Sequence, residues 1–333
     1  MARYLASVLG EWARTDLPFG RVTLFSPEPL PDGVLPAEHP FDVHVLPAAS
    51  ARLWGQWQLP RAARGVDLLF CPAYVAPAVY GGRYVVVMHD ALLEVLPQAF
   101  SRQVLRRNLF RRSACHAARV LTPSEASRRD LVRVYGLDPG RVRAIHLGVE
   151  DRFAGASEED ATRVRQRYSL GTSPIVLFVG KLSQRRNLPN LVRAVAALRA
   201  RHGARHLLVL AGENYLDLRL EDLARELGAG EALRILGFVP DEDLPGLYRA
   251  AETFVYPSEY EGFGIPVLEA MAAGTPAVTL DNSSLSEVAG DAAVLLRTAD
   301  VEELAGALER LAADPGLRDE YGERGRARAK ERL

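Results

Sequence analysis

Twelve short β-branched or aliphatic runs recur along the chain, separated by stretches of helical periodicity, and this alternation constrains the fold more than any other feature. In the first half the runs fall at 21–25, 42–46, 66–70, 84–88, 119–122 and 142–146. In the second half they fall at 174–179, 206–211, 233–236, 253–256, 277–280 and 293–296. Several are apolar without alternation, as are strands buried on both faces of a parallel sheet. Strand–helix alternation predicts an α/β fold, and twelve strands predict two sheets. The 333 residues give material for two domains. Residues 148–173 lie between the two strand sets and contain one helix, so the reading divides the chain into 1–160 and 161–333. Ser124 reads as the N-cap of a helix over 125–135 closed by Gly136, and Ser157 with Asp160 as a capping box.

Charge and apolar content exclude several classes. Lys and Arg number 41 against 42 Asp and Glu, a net charge of −1 that offers no global field for nucleic acid. The longest purely apolar runs, about five residues, fall far short of the roughly 20 of a membrane span. The N-terminus, with one early Arg and then Glu11, makes a poor signal peptide. Cys71 and Cys115 have neither metal-ligand spacing nor a disulfide framework, which fits a reducing compartment. The expectation is a soluble, cytoplasmic protein.

In open parallel sheets ligands bind beyond the carboxyl ends of the strands. Past 84–88 comes His89-Asp90. Past 174–179 comes Gly180-Lys181, with Arg185 and Arg186 close behind. Past 253–256 comes PSEYEGFG, residues 257–264. Three polar clusters therefore occupy ligand positions. Within the third, Pro266 suits the first turn of a helix, while Gly262 and Gly264 allow close backbone approach to a ligand. The amides that open such a helix form an anion site. Glu269, about one turn in, can reach past a phosphate to a hydroxylated group. Two carboxylates flanking a phosphate site suit a sugar nucleotide. The same residues also fit a Gly-rich turn before a helix with favourable Glu placement. A glycosidase pair is a rival, but it needs no cation pair at strand ends. A nicotinamide dehydrogenase is poor because no strand precedes a G-x-G-x-x-G.

The run PSEYEGFGIPVLEAMAAGTPAV closely resembles the signature of glycosyltransferase family 4, the retaining sugar-nucleotide-dependent enzymes of the GT-B fold. GKLSQRRNLPNLVRA resembles the family's diphosphate-binding segment and VVMHDALLEVLP its first-domain His segment; TPSEASRRDL and SLSEVAGDAA also fit. The resemblance covers essentially the whole chain. It implies two Rossmann-like parallel-sheet domains facing each other across a cleft. It assigns Glu269 to the donor ribose, and Glu261 with the backbone of Gly262, Phe263 and Gly264 to the transferred sugar and distal phosphate. Lys181 and Arg186, after Gly180, match the paired cations on the diphosphate, in an order inverted from the family's Arg then Lys. Val239 matches the stretch whose backbone meets the nucleobase. His89 matches the residue facing the reacting sugar, and Asp90 follows it on the acceptor side.

No metal is expected. Asp241-Glu242-Asp243 reads as an N-cap at Asp241 followed by first-turn acids rather than as a metal-binding Asp-x-Asp. Between Val95 and Ser124 no acidic residue occurs, while Arg102, Arg106, Arg107, Arg111, Arg112 and Arg119 do. These could line a helix face opposite Leu105 and Leu109, meeting anionic lipid or a lipid-diphosphate acceptor at the inner membrane face. They also read as a solvated face, since only two of the 41 basic residues are Lys.

Family members begin with a strand and a Gly-rich loop before a helix like ARYLASVLGEWA, and end in a helix that packs back on the first domain. The resemblance thus implies that the first strand of the N-terminal domain is missing, leaving two inner edges open, as in a fragment of a longer reading frame or a mis-called start. The expected activity is retaining transfer of a hexose from GDP-mannose or UDP-glucose to a glycan or lipid-linked hydroxyl, in polysaccharide or glycolipid synthesis. Mannosyl transfer is favoured. The alternative is a non-catalytic sugar-nucleotide-binding fragment.

Overall fold

The computed structural model describes residues 2–98, 103–214 and 218–331. All twelve expected strands form: β1 (Thr23–Ser26), β2 (Asp42–Val45), β3 (Leu69–Cys71), β4 (Tyr84–Val87), β5 (Arg119–Thr122) and β6 (Val142–Ala144) in the first half. The second half holds β7 (Ile175–Val179), β8 (Leu207–Ala211), β9 (Leu233–Gly237), β10 (Thr253–Tyr256), β11 (Ala277–Leu280) and β12 (Val294–Leu296). Only the third departs noticeably, starting later than 66–70 because Val66 and Asp67 precede the first ladder pair, Leu69 with Tyr84. Every ladder pair of named strands is parallel.

Two compact units divide the chain, Met1–Thr122 with Arg128–Ala144, and Pro123–Ser127 with Ile145–Leu333. The division falls at 144/145 rather than at the expected 160/161. The reason is packing: Val149, Phe153 and Val164 are buried in the second core, so the chain has joined that unit before its helix Glu158–Arg167 begins.

The second unit is a six-stranded sheet in the order β12-β11-β10-β7-β8-β9. β7, β8, β10 and β11 are buried along their whole length, the outcome the unbroken apolar runs predict. Ser157 and Asp160 form the expected capping box. At the carboxyl end of β8, Gly212 lies against the backbone after β7, and a Cβ there would overlap the Gly180 carbonyl oxygen. Gly212→Ala is therefore expected to force β7 and β8 apart at the ligand end. Circular dichroism should show a lowered thermal midpoint, by roughly 2–8 °C for a cost of about 1–2 kcal/mol.

In the first unit the strands fall into two sheets, β3-β4-β5-β6 and the separate pair β1-β2. Among the described residues no strand joins β1 to β3. β2 is exposed throughout and β1 only half-buried, while Leu69, Cys71, Tyr84, Val86 and Val120 form the core of the larger sheet. Ser124 caps the helix Glu125–Tyr135, accepting from the Ser127 amide at 3.0 Å. No helix of the described residues is long and apolar enough to cross a membrane.

Candidate functional site

Two of the three polar clusters meet in the second unit. β7 runs into Gly180 and the exposed Lys181; a short 3₁₀ turn, Gln184–Arg186, then leads through left-handed Asn187 (φ 50°) into the helix Leu188–His202. Asn187 Nδ2 donates to the Pro257 carbonyl at 3.0 Å, tying this turn to the end of β10. Arg185 Nη1 lies 2.6 Å from Glu261 Oε1 and 2.6 Å from the Tyr260 carbonyl, and the Ser258 hydroxyl donates to Glu261 Oε1 at 2.6 Å. Arg186 pairs with the same carboxylate oxygen at 2.7 Å, with its guanidinium 4.5 Å from the centre of the Tyr256 ring. It is only 6% exposed, and its Nε has no hydrogen-bond partner. Burial lowers its pKa to about 10, against the opposing pull of Glu261 and with that of neighbouring Arg185. A guanidinium is rarely buried this deeply without fuller pairing.

The expected cation pair was Lys181 and Arg186. Arg185, noted in sequence only as a neighbour, is the residue that locks the 258–261 loop.

The glycine loop after Glu261 is held by hydroxyls. The Glu261 amide donates to Ser283 Oγ at 3.1 Å. Ser284 Oγ lies 2.8 Å from the carbonyls of both Glu261 and Phe263. Ser124 and Ser127 donate to the Gly262 carbonyl at 2.7 and 3.0 Å. Three successive carbonyls are thus occupied, whereas the amides of Gly262, Phe263 and Gly264 have no partner among the described residues. Such a run of unpaired amides before a helix suits an anion. Gly264 takes φ 105° at the N-cap of the helix Ile265–Ala272, whose first turn carries Pro266 as expected; a Cβ on Gly264 would lie 2.8 Å from Leu285.

Glu287 supports this arrangement. Its carboxylate accepts from the amides of Glu125 and Ala126 at 2.9 and 3.0 Å and lies 2.5 Å from His146 Nε2. Burial raises its pKa, but the two amides and His146 outweigh burial and hold it below the usual glutamate value. Ser127, Ser283, Ser284 and Glu287 were not picked out in sequence, although TPSEASRRDL and SLSEVAGDAA carried the signal.

Glu269 is 2% exposed and accepts a hydrogen bond from Tyr248 at 2.8 Å, which fixes one carboxylate oxygen. Val239 is buried after β9, beside the 72% exposed ring of Phe238. Asp241 is not the N-cap it was expected to be. Asp243 takes that position for the helix Leu244–Ala250, and its fully buried carboxylate turns to Arg163 at 2.5 Å, Arg167 at 2.9 Å and Tyr168 at 2.7 Å. Asp241 stays outside, its carbonyl accepting from Arg152. Among the described residues no three His, Cys, Asp or Glu side chains are grouped to hold a metal ion.

The third cluster lies in the first unit, at the end of β4. His89 Nε2 is 3.0 Å from the Pro72 carbonyl, and the ring meets those of Tyr4 and Tyr74 edge-on. A carbonyl only accepts, so Nε2 carries the proton and Nδ1 is left as an acceptor. Burial lowers the His89 pKa, against the Pro72 hydrogen bond and Asp90, which raise it. The Asp90 carboxylate accepts from the Leu92 amide at 3.0 Å, at the start of the turn Leu92–Val95.

The arginine face differs from expectation. The helix Val104–His116 buries Phe110, Ser113 and Ala114, so Leu105 is 75% exposed rather than opposite the arginines. Arg107 turns to Glu94, donating to Oε2 from Nη2 at 2.5 Å, and is half-buried, whereas Arg106 is exposed. Arg102 lies outside the described residues.

Known proteins match both halves. The profile of "Glycosyl transferases group 1" matches residues 160–328, and that of "Glycosyltransferase Family 4" matches residues 1–153. The O-antigen chain mannosyltransferase B of Escherichia coli is 34% identical over 253 residues, 75% of this chain and 66% of that protein. The first three curated relatives are matched over 66%, 54% and 49% of their lengths, so the chain spans about half to two thirds of them. Among solved structures, WaaG, a glycosyltransferase involved in lipopolysaccharide biosynthesis, superposes with TM-score 0.76 at 19% identity, covering 98% of this chain and 90% of that one. Anabaena HepE in complex with UDP-glucose gives TM-score 0.73 at 21% identity, covering 87% and 82%. These two likenesses establish the GT-B type of parallel α/β fold. With its strand-end cations, its hydroxyl-braced glycine loop and family profiles covering both halves, the chain belongs to the group 1 glycosyltransferases of glycosyltransferase family 4.

Proposed function

We propose that this protein transfers a hexose from a nucleoside-diphosphate sugar to a hydroxyl of a glycan or lipid-linked acceptor, with retention of anomeric configuration. The observation that carries the reading is the buried, incompletely paired Arg186 in the same unit as three unpartnered glycine-loop amides and Lys181. Together they supply the counter-charge for a leaving diphosphate, so the proposed transfer needs no metal ion. Glu269, with one oxygen held by Tyr248, takes the ribose hydroxyls. Glu261 and the loop backbone take the transferred sugar, the Val239 backbone takes the base, and Gly180 gives the chain room beside the phosphates. Neutral His89 accepts a hydroxyl of the reacting sugar.

In the step itself the acceptor oxygen bonds to the anomeric carbon on the face from which diphosphate departs. The bond to phosphate breaks, and the acceptor proton passes to the departing phosphate oxygen. The donor is GDP-mannose or UDP-glucose. The similarity to the O-antigen chain mannosyltransferase B of Escherichia coli favours the first; HepE, of the same fold, holds UDP-glucose.

Calorimetric titration with UDP, GDP and their hexose conjugates tests the reading. One base should bind to the wild type and lose at least about tenfold in Glu269→Ala, the value of a buried charged hydrogen-bond acceptor. Donor turnover should persist in excess EDTA. Binding of neither base overturns the reading; binding without transfer or slow donor hydrolysis leaves a non-catalytic binder.

A further inference from the structure

Among the described residues, four other than glycine take a positive φ: Tyr74, Ser169, Asn187 and Ser283. The last three carry short polar side chains, whereas a bulky aromatic residue at φ 47° is a strained outlier. Glycine would hold the same turn without strain, so a tyrosine here is accounted for by what its ring touches. Two contacts qualify. The ring stacks on buried Phe110 of the helix Val104–His116, 4.6 Å between centres and 12° from parallel. It also meets His89, 5.5 Å between centres and 61° between planes.

Neighbouring bonds hold the tyrosine in that turn. The Tyr74 amide donates to the Val87 carbonyl at 2.8 Å, at the end of β4 and two residues before His89. Two residues on, the Ala76 amide donates to the buried Ser113 hydroxyl at 3.0 Å. Left-handed backbone at 74 joins these two anchors and carries the ring onto Phe110 and His89. The same loop supplies the Pro72 carbonyl, which accepts from His89 Nε2 at 3.0 Å. Tyr4, on the helix Ala2–Arg14, adds a second ring 5.1 Å away and nearly perpendicular to the imidazole. One hydrogen bond and two ring contacts thus hold His89, while its Nδ1 has no hydrogen-bond partner among the described residues.

We infer that Tyr74 is a positioning residue for His89: its strained turn sets the phenol ring against the imidazole, keeps Nε2–H on the Pro72 carbonyl and so presents Nδ1 to the reacting sugar as a hydrogen-bond acceptor. The inference rests on the assignment of His89 to that sugar. Half a turn about the His89 Cβ–Cγ bond would put a carbon where Nε2 stands and lose the Pro72 hydrogen bond. The flanking rings resist that rotation and leave one orientation. The bond made by one ring nitrogen then decides what the other can do. Strained backbone persists where its surroundings over-determine it, as Val87, Ser113 and Phe110 do here. Tyr74 acts through His89 and exchanges no proton.

Long-range proton–nitrogen spectra of the full chain, labelled at histidine, test it, with His89→Gln assigning the resonances. The wild type is expected to show His89 almost wholly as the Nε2–H tautomer at neutral pH. In Tyr74→Gly, which keeps the turn and removes the ring, the ratio of Nε2–H to Nδ1–H should fall by about two- to tenfold, the range of one hydrogen bond. Tyr74→Phe should restore it. Turnover of GDP-mannose or UDP-glucose by Tyr74→Gly should lose about tenfold to a hundredfold in kcat. KM should change little, since the groups assigned to base, ribose and diphosphate lie in the second unit. Tyr74→Leu keeps an apolar contact with Phe110 and should behave as Tyr74→Gly does, so the test survives if the glycine variant does not fold. An unchanged His89 tautomer in the folded variants overturns the inference, as does a kcat loss that Tyr74→Phe does not recover. If the wild type turns over neither donor while the tautomer shifts as expected, the transfer reading fails and the placing of His89 by Tyr74 stands.

Discussion

Glu261→Ala is expected to lower the thermal midpoint of the second unit by roughly 6–20 °C, and to cut sugar transfer at least about tenfold and up to about a thousandfold. The stability loss arises because Glu261 is the carboxylate facing both Arg185 and Arg186, the latter 6% exposed. Removing one member of a buried pair leaves the other charge uncompensated, at a cost of about 3–5 kcal/mol. A purely structural loop predicts nothing further. A diphosphate site predicts that free UDP or GDP binds the variant no more weakly than the wild type, because two arginines have lost their internal counter-charge. The ligand-induced rise in midpoint should then be larger in the variant. Glu261→Gln keeps an acceptor for Ser258 and Arg185 and should recover part of the stability with little of the transfer. A variant that loses nucleotide binding and transfer together would count against assigning Glu261 to the sugar side.

The second large effect is expected at Asp243, remote from substrate. Its carboxylate is fully buried and joins three residues of the helix Glu158–Arg167 and its end: Arg163, Arg167 and Tyr168. Asp243→Ala should destabilise the second unit by about 3 kcal/mol, discounted from the upper range because both arginines stay half-exposed and can rehydrate. Burial pushes the Asp243 pKa up, but the hydrogen bonds from Tyr168 and Arg163 and the charge of Arg167 outweigh burial and bring it below the ordinary aspartate value. A folded-state pKa below the unfolded one gives stability that is present above the unfolded value, near pH 4, and lost as pH falls through the folded value. Denaturant titrations at pH 7 and at successively lower pH should therefore show the gap between wild type and Asp243→Asn narrowing below about pH 4. A gap independent of pH would mean that packing, not charge, sets the cost.

Fold was legible because its signal is local. An apolar run such as IVLFV at 175–179 reads the same whatever lies beside it, and all twelve such runs became strands. Caps are legible for the same reason: Ser157 and Asp160 are three residues apart and satisfy each other. Errors arose where a side chain chose between a local and a distant partner. Asp241 looked like a cap, but Asp243 was taken by arginines some eighty residues earlier in the chain. Arg107 looked like part of an open basic face, but Glu94 lies within reach. The contacts divide the chain earlier than 160/161 because Phe153 and Val149 find their core in the second unit, a choice set by packing and not by the loop composition around them.

By itself the sequence determined the α/β class, the family, and which short segments carry chemistry, because strand periodicity, glycine placement and the Glu261–Glu269 spacing are properties of neighbouring residues. Tertiary structure alone decided which groups those segments meet. It set Arg185 and Arg186 on one carboxylate, turned the serine hydroxyls of 124, 127 and 284 onto the glycine-loop carbonyls, and held Glu287 against two helix amides. It also set the Tyr74 ring against His89. The physical reason is that hydrogen bonds and ion pairs act over a few ångströms in space whatever the separation in sequence. Ser124 and Gly262 are 138 residues apart and 2.7 Å from each other.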